Sequence, residues 1–383
     1  MNAVPDVLIS VAGLCVDYGL GQDAVHAVVD ADLELRRGET LGLAGESGSG
    51  KSTLAYAITR LLRPPGVITA GSAYFGSSVN LLSAGQRELR GLRWNEIAVV
   101  LQSSMNALNP VLSIGTQFSD VLRAHRPDMS RADRRARSSQ LLEMVGIPAD
   151  RLSSYPHELS GGMRQRVMIA TALALDPSVV IMDEPTTALD VVTQREILEE
   201  LMTLRDRLGF AVLFISHDLS LLVEIADSIA VMYAGRLVER AGASAVFRAP
   251  RHPYSLGLLS SFPALHGPRR AMEGIPGSPP DLRNMPSGCP FHPRCGYAFD
   301  RCRSDPPPRL LDLDAGTRAA ACWLQDGRGA VPAELARTAE AAPADTVPAG
   351  ADTVPAGADT VPAGADPVPA GADTVPAESG GRS

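Results

Sequence analysis

Short apolar runs alternate with segments of helical periodicity along residues 7–245 of this 383-residue chain. The runs at residues 40–44, 179–182 and 211–215 are almost continuously apolar, which is the pattern of strands buried on both faces of a parallel sheet. Helical segments lie between them, for example at residues 53–62. Strands that alternate with helices in this way predict an α/β fold.

The remainder of the chain has a different composition. Residues 246–328 are rich in Pro, Arg and Cys and contain few periodic segments, and residues 344–378 are five copies of a seven-residue repeat, most often ADTVPAG. Proline in every copy rules out a continuous helix, and the repeat lacks the large apolar side chains that offset the cost of ordering. We therefore divide the chain into residues 1–245, 246–328 and 329–383, and expect the last part to be a disordered acidic tail.

Composition narrows the possible function. Hydrophobic residues make up 45% of the chain, which is enough for a full core. The net charge is −8, but residues 340–383 contain seven acids and one base, so −6 of it belongs to the tail. The rest of the chain is close to neutral and has no basic patch, which argues against a nucleic-acid partner.

The sequence contains neither a recognisable membrane span nor a secretory signal. No run reaches the ~18 apolar residues of a membrane helix. No basic flank precedes an apolar segment near the N-terminus. We expect a cytoplasmic chain that reaches a membrane only through partner subunits.

A glycine-rich loop follows the apolar run at residues 40–44. It matches the phosphate-binding pattern GxxxxGK[ST] in the strand–loop–helix context that this pattern requires. Glycines let backbone N–H groups approach phosphate oxygens, and the start of the helix adds positive potential. The residues predicted to bind a nucleotide are Gly45, Glu46, Ser47, Gly48, Ser49, Gly50, Lys51, Ser52 and Thr53.

Lys51 is the most informative residue of this loop. It is the only lysine among 35 Lys and Arg residues. A compact ammonium fits between phosphates where a planar guanidinium does not, so we expect Lys51 to contact the β- and γ-phosphates. Ser52 is predicted to coordinate Mg²⁺.

Two acids follow the apolar run at residues 179–182. A buried parallel strand carries the residues at its C-terminal end to the active edge of the sheet. We predict that Asp183 holds Mg²⁺, through water, and that Glu184 is the general base for the attacking water.

A further anion site is predicted around Ser160. This residue is a candidate N-cap for the helix at residues 164–175, and Gly161 and Gly162 leave backbone N–H groups accessible at its start. An ordinary capped helix has the same pattern, so this segment alone does not establish a function.

Taken together, these motifs resemble those of ABC ATPases. Residues 159–162 (LSGG) resemble the signature of that superfamily, with Met163 where glutamine is more common. The resemblance covers about residues 7–245. Four further motifs resemble those of the superfamily: Gln102 is similar to the Q-loop glutamine, residues 188–190 to the D-loop, His217 to the switch histidine and Tyr18 to the aromatic residue that stacks on adenine.

The resemblance implies a P-loop, RecA-like core that binds ATP and Mg²⁺, with a helical subdomain inserted at about residues 103–175. It implies that Glu184, His217 and Gln102 support hydrolysis, and that Gln102 also contacts Mg²⁺. A second ABC ATPase subunit, identical or paralogous, would complete the site. Ser160, Gly161, Gly162 and Asp190 of this chain would contact the nucleotide that the second subunit holds.

The C-terminal part narrows the resemblance to the ATPases of peptide importers. Residues 102–112, the RHPY motif at residues 251–254 and the cysteine-bearing segment at residues 288–295 are similar to theirs. This implies an importer of dipeptides or oligopeptides, in which two membrane permease subunits and an extracytoplasmic substrate-binding protein are the partners. Nickel importers share part of the pattern, and an ABC ATPase without a transport role is the alternative from another class.

Four of the five cysteines lie close together, at Cys289, Cys295, Cys302 and Cys322. A cytoplasmic chain is not expected to rely on disulfides, and thiolates in a Pro-rich segment with little core suggest a bound metal. The spacing lacks the CxxC pairs of many zinc sites and suits a four-cysteine iron–sulfur cluster at least as well. Because some peptide-importer ATPases carry a 4Fe–4S cluster, the resemblance favours a structural cluster over zinc, and either metal over free thiols.

Overall fold

The computed structural model describes five stretches of the chain, namely residues 7–102, 107–186, 189–261, 274–328 and 330–336. In these stretches, no helix combines the length and the apolar character needed to cross a membrane. Residues 329 and 337–383 of the predicted tail, and residues 187–188 at the start of the predicted D-loop, lie outside the described residues. Residues 330–336, which were expected to belong to the disordered tail, instead end in a short helix whose Leu335 is fully buried.

The described residues form two sheets and the helices that connect them. The strands are β1 (Val7–Tyr18), β2 (Val25–Arg36), β3 (Thr40–Ala44), β4 (Gly66–Phe75), β5 (Val79–Asn80), β6 (Ile97–Val100), β7 (Val179–Asp183), β8 (Ala211–Ser216), β9 (Ser228–Tyr233), β10 (Arg236–Gly242), β11 (Leu311–Leu313) and β12 (Arg318–Ala320). The helices are α1 (Lys51–Ile58), α2 (Gln86–Leu92), α3 (Ile114–His125), α4 (Arg131–Met144), α5 (Gly161–Ala172), α6 (Val191–Leu208), α7 (Leu219–Ile225), α8 (Ala243–Arg248), α9 (Pro253–Ser260), α10 (Asp300–Ser304) and α11 (Ala333–Ala336).

The larger sheet has eight strands in the order β11-β12-β10-β9-β3-β8-β7-β6. Its strands β9, β3, β8, β7 and β6 run parallel to one another. Every residue of β3, β7 and β8 is buried, as their apolar runs predict. Because parallel strands end at the same edge, the segments that follow these three strands meet there.

The smaller sheet has the order β2-β1-β4-β5 and is antiparallel throughout. Its buried residues Leu14 and Leu33 share one hydrophobic cluster with Leu54 and Ile58 of α1 and with Leu43 of β3. Helix α1 therefore packs against both sheets, and burial on both sides holds the start of this helix in place.

The helices confirm the predicted elements but not all of their ends. Helix α1 begins directly after Gly50, and it ends before the predicted residue 62 because Arg60 has a φ of 56°, outside helical geometry. Helix α5 begins at Gly161, after the predicted N-cap Ser160, whose Oγ accepts a hydrogen bond from the backbone N–H of Met163 at 3.2 Å.

Three helices, α3, α4 and α5, lie in the segment predicted to be an inserted helical subdomain; residues 103–106 at its start are outside the described residues. Phe118 and Leu122 of α3 are buried in one cluster with Leu141 and Leu142 of α4 and Val167 of α5. The three helices therefore share an apolar core, which stabilises their arrangement.

The C-terminal region extends the larger sheet rather than standing apart from it. Strand β12 pairs with β10, and β11 pairs with β12, both antiparallel. The buried carboxylate of Glu239 on β10 accepts hydrogen bonds from the backbone N–H groups of Arg251 and His252, at 2.7 and 2.9 Å. The region at residues 246–328, which the sequence set apart as a Cys-rich part of the chain, thus shares a sheet and a core with residues 7–245. Strands of only three residues are too short to reveal this connection as a sequence period.

Candidate nucleotide-binding site

The loop between β3 and α1 depends on glycine at two places. Gly45 has a φ of 149°, and a Cβ there would lie 2.2 Å from the carbonyl oxygen of Met232. Gly50 has a φ of 105°, and a Cβ there would lie 2.3 Å from the carbonyl oxygen of Ala27. The loop is thus packed tightly against two neighbouring backbones, and its path leads the N–H groups of the first turn of α1 to the edge of the sheet.

Lys51 lies across this loop. Its Nζ donates hydrogen bonds to the carbonyl oxygens of Gly45 and Glu46 at 2.7 and 2.9 Å, and to Oγ of Ser49 at 3.5 Å. Burial lowers the pKa of Lys51, whereas the nearby carboxylates, Glu184 foremost, act in the opposite direction. The ammonium group is therefore held inside the curve of the loop, as the predicted phosphate contact requires.

Asp183 is fully buried at the end of β7 and receives two hydroxyl groups. Ser52 donates to its Oδ1 at 2.9 Å, and Tyr56 donates to its Oδ2 at 2.8 Å. Burial and this hydrogen bond raise the pKa of Tyr56, so its hydroxyl remains a donor. Two of the three predicted Mg²⁺ ligands, Ser52 and Asp183, are thus adjacent, and a hydroxyl beside a carboxylate is an oxygen set of the kind that Mg²⁺ prefers. The third, Gln102, contacts Glu184.

Glu184 brings together the residues expected to support hydrolysis. Its φ of 44° is in the left-handed region, which is rare for a residue other than glycine. Nε2 of Gln102 donates to its Oε2 at 3.1 Å, and Nδ1 of His217 lies 3.3 Å from its Oε1. Strain of this kind is often found at functional sites, and here it places the carboxylate between two polar partners.

Tyr18 lies at the end of β1, next to the phosphate-binding loop. Its hydroxyl shares a hydrogen bond with Oγ1 of Thr53 at 3.3 Å. The predicted adenine-stacking residue is therefore beside the first turn of α1.

The predicted signature residues lie beside the described residues of the predicted D-loop. A Cβ on Gly162 would lie 2.7 Å from Cγ2 of Thr193, and one on Gly161 would lie 3.5 Å from Leu189. Asp190 is the N-cap of α6 and accepts two hydrogen bonds from Thr193, which lower the pKa of Asp190. The start of α5, after its N-cap Ser160, thus packs beside the start of α6.

Three residues near the loop were missed by the sequence analysis: Tyr56, Tyr254 and Arg294. Tyr56 could have been found, because it follows Ser52 by one helical turn and so shares its face of α1. The other two contact Glu46 from positions 208 and 248 residues away, and no local pattern signals such contacts.

The four clustered cysteines do not form the predicted metal site. They line one small cavity together with Trp323, and all four are free thiols. Burial raises the pKa of Cys289, that of Cys295 to about 11 and that of Cys322 to about 12. Across the described ranges, no group of three or more His, Cys, Asp or Glu residues could hold a metal ion.

The predicted iron–sulfur cluster, and zinc as its alternative, is therefore wrong. Sequence spacing indicated correctly that Cys289, Cys295, Cys302 and Cys322 come together around one cavity, but in the described part of the chain they do not form a group that could hold a metal ion. Cys15, the fifth cysteine, is half-buried, and its sulfur accepts a hydrogen bond from the backbone N–H of Asp30 at 3.3 Å.

A phosphate-binding loop and an acidic strand end that meet at the edge of a parallel sheet define the class of P-loop ATPases. The chain shares this architecture with a solved ATP-binding cassette, the dimeric post-hydrolysis state of MJ0796 bound to ADP and Pi. The two are 28% identical with a TM-score of 0.55, over 62% of this chain and 99% of that one.

Two family matches and several curated relatives specify the family. Residues 28–187 match the ABC transporter family, and residues 238–302 match the family described as oligopeptide/dipeptide transporter, C-terminal region. The oligopeptide transport ATP-binding protein OppD of Escherichia coli (strain K12) is 45% identical, over 83% of this chain and 93% of its own length. The dipeptide transport ATP-binding protein DppD of Caldanaerobacter subterraneus subsp. tengcongensis is 40% identical, over 84% of this chain and 98% of its own length. The chain belongs to the ABC transporter family of ATP-binding proteins and is an ATPase.

Proposed function

We propose that this chain is the ATP-hydrolysing subunit of an importer that moves dipeptides or oligopeptides across the cytoplasmic membrane. The observation that carries the proposal is the C-terminal match at residues 238–302, which lies outside the general ATPase motifs. Two relatives support the proposal, because they align with this chain over 93% and 98% of their own length and their names specify oligopeptide and dipeptide transport.

The residues at the sheet edge can perform the hydrolysis. Lys51 would exchange the loop carbonyl oxygens for the β- and γ-phosphate oxygens of ATP, while backbone N–H groups of residues 45–53 hold the remaining oxygens. Ser52 and Asp183 would hold Mg²⁺, the latter through water. The metal neutralises charge on the phosphates. Tyr18 would stack on the adenine ring.

Glu184 is the group best placed to accept a proton from the attacking water. Its two oxygens face Gln102 and His217, and these contacts support the proposal that both residues orient it for hydrolysis. Gln102 would also contact Mg²⁺ when ATP is bound. Asp183 is fully buried, and its two oxygens accept hydrogen bonds from Ser52 and Tyr56, which supports a metal-holding role rather than the role of the base.

We further propose that the chain acts with a second cassette, either a copy of itself or a paralogue. Ser160, Gly161, Gly162 and Asp190 would face the nucleotide held by that partner, and their location together at the starts of α5 and α6 supports this. The solved cassette with which this chain shares its fold is described as dimeric, which supports pairing.

Membrane partners complete the proposal. Two permease subunits would receive the motion of the cassettes, and an extracytoplasmic binding protein would deliver the peptide, so that this chain is peripheral at the cytoplasmic face. Leu101 and Val111 flank the Gln102 segment and are 40% and 76% exposed, which suits a surface that docks onto apolar helices. Within the chain, we propose residues 1–245 as the ATPase domain, with a helical subdomain at 103–175, residues 246–328 as the peptide-importer region and residues 329–383 as a tail.

Reconstitution tests the proposal. The chain, its partner cassette and the two permeases are placed in liposomes with the binding protein, and ATP-dependent uptake of labelled dipeptides, oligopeptides and Ni²⁺ is compared. Peptide uptake that stops with Glu184→Gln supports the proposal. Uptake of Ni²⁺ alone supports the nickel importer, and ATP hydrolysis by a chain that joins no permease supports a non-transport ATPase.

A further inference from the structure

Glu46 of the phosphate-binding loop is held by two residues from the C-terminal region. Arg294 forms a bidentate ion pair with its carboxylate: Nη1 donates to Oε2 at 2.7 Å and Nη2 donates to Oε1 at 3.0 Å. The hydroxyl of Tyr254 accepts the backbone N–H of Glu46 at 2.8 Å. The side chain and the backbone of one loop residue are therefore both fixed from outside residues 7–245.

Arg294 is well suited to hold a fixed position. Its side chain is only 5% exposed, and its third donor, Nε, is hydrogen-bonded to the carbonyl oxygen of Pro276 at 2.8 Å. The hydrogen bonds with Glu46 raise the pKa of Arg294, which remains charged. A planar guanidinium with both ends engaged has little freedom, so it transmits the position of the C-terminal region to the loop.

Tyr254 is held by packing. Its ring centroid lies 4.5 Å from that of Tyr233 and 5.4 Å from that of Phe291, and all three rings are buried. Phe291 precedes Arg294 in the same short segment, so the anchor for the carboxylate and the anchor for the backbone rest on one aromatic cluster. Both contacts therefore move together if this cluster shifts.

The position of Glu46 also governs Lys51. The carbonyl oxygen of Glu46 accepts a hydrogen bond from Nζ of Lys51 at 2.9 Å. A displacement of the Glu46 backbone would therefore displace the ammonium group that is proposed to meet the phosphates. Misplacement of a binding group by about 1 Å can cost up to about 100-fold in function.

We propose that Arg294 and Tyr254 are positioning residues for ATP binding, which act through Glu46 and make the C-terminal region a structural part of the nucleotide site. This rests on the proposed function only to the extent that the loop binds ATP. By reciprocity of linked equilibria, bound ATP should in turn stabilise the segment that carries Arg294.

The test is the equilibrium dissociation constant for ATP of the full-length chain. Arg294→Gln removes the charge and the bidentate contact, and we expect it to weaken ATP binding at least about tenfold, as does misplacement of a contact group. Glu46→Gln should weaken binding to a similar degree. The double variant should be no weaker than Arg294→Gln alone, because both changes break one pair.

Arg301→Gln is the matched control. Arg301 lies in the same region and stacks over Trp323 at 3.5 Å from the ring centroid, but its ion pairs are with Asp305 and Asp326, at 3.2 and 2.7 Å, rather than with a residue of the phosphate-binding loop. We expect it to lower the thermal unfolding midpoint as Arg294→Gln does, and to leave the ATP dissociation constant within about twofold of the parent.

The outcomes separate this inference from the proposed function. A parent chain that does not bind ATP contradicts the proposed function. If the parent binds ATP and Arg294→Gln binds it within twofold of the parent, or if Arg301→Gln weakens binding equally, the positioning role is wrong. If Arg294→Gln does not fold, Tyr254→Phe decides by the same criterion, because phenylalanine retains the packing and loses only the acceptor.

Discussion

Glu184 combines a left-handed backbone with two side-chain partners, which suits a group that must meet water in one orientation. Glu184→Gln retains the shape and loses the basic oxygen. We expect ATP affinity to be unchanged and hydrolysis in the assembled transporter to fall about 100-fold or more, the usual effect of losing a general base. Single-turnover hydrolysis measures this. Glu199→Gln, on the exposed face of α6, serves as control, and near-parental hydrolysis by Glu184→Gln would show that the base lies elsewhere.

Tyr56 donates a hydrogen bond to Asp183, the residue proposed to hold Mg²⁺. Tyr56→Phe removes the hydroxyl that donates to Asp183 and leaves the buried ring. Because hydrogen bonds to charged groups contribute about 1.5–3 kcal/mol, we expect the Mg²⁺ concentration for half-maximal hydrolysis to rise about tenfold. The measurement is the ATPase rate as a function of Mg²⁺. Tyr74→Phe, which alters a tyrosine that is 37% exposed, should not change it, and an equal shift in both variants would remove the assigned role.

At the scale of elements, the connection from β3 to α1 tolerates no side chain at Gly50. Gly50→Ala would place a Cβ 2.3 Å from a backbone carbonyl oxygen of β2, so we expect nucleotide binding to be lost. Gly91→Ala is the matched control, since this helical glycine has no atom within 4 Å of the added methyl group and alanine favours helices by about 1 kcal/mol. Nucleotide affinity of both variants, with far-UV circular dichroism, distinguishes a local effect from unfolding.

We expect His252, at the start of helix α9, to make the stability of the fold dependent on pH. His252 is its N-cap, and Nδ1 accepts the backbone N–H of Tyr254 at 3.0 Å. Burial lowers the pKa of His252 to about 3, from 6.5. Between these two pH values the unfolded chain binds a proton on His252 that the folded chain does not bind. The stability that depends on neutral His252 is therefore fully present above pH 6.5 and is lost as the pH falls toward 3.

As the pH falls through this window, we expect the free energy of unfolding to decrease by about 1.4 kcal/mol for each pH unit because of His252. Denaturant titrations at several pH values measure the slope. His252→Asn retains an N-cap acceptor without a titrating group, so it should reduce the slope. An unchanged slope would show that other groups dominate the acid response.

At the scale of the whole molecule, the sequence predicted two kinds of feature: continuous local motifs, and residues that parallel strands bring to the same edge of a sheet. The loop from Gly45 to Ser52 is continuous, and Asp183 joins it because the carboxyl ends of buried strands meet at one edge. The ion pair of Glu46 with Arg294 joins residues 248 apart and has no periodic signal. The cysteine cluster was placed correctly but interpreted wrongly, because the spacing of cysteines along the chain does not reveal whether their sulfur atoms reach the geometry that a metal requires.

The repeat at residues 344–378 is predicted to be dispensable. Its proline-containing copies lack large apolar side chains, so they contribute little to a core. We expect a chain that ends at residue 343 to retain its thermal unfolding midpoint, its ATPase rate and peptide uptake. Those three measurements on the shortened chain test the prediction, and lost uptake at normal expression would indicate a docking role for the tail.

The pairing of β12 with β10 has a further consequence, which concerns solubility. An edge strand of a sheet has unpaired backbone N–H and C=O groups that can form hydrogen bonds with a strand of another chain, and many proteins limit this by keeping their edge strands short. Here β10 is covered by β12, and the outermost strand β11 has only three residues. A cut at residue 245, which the ATPase motifs would suggest, would leave β10 as a template for aggregation. We therefore expect the C-terminal region also to prevent aggregation through the edge of β10 before the chain assembles with its partner subunits.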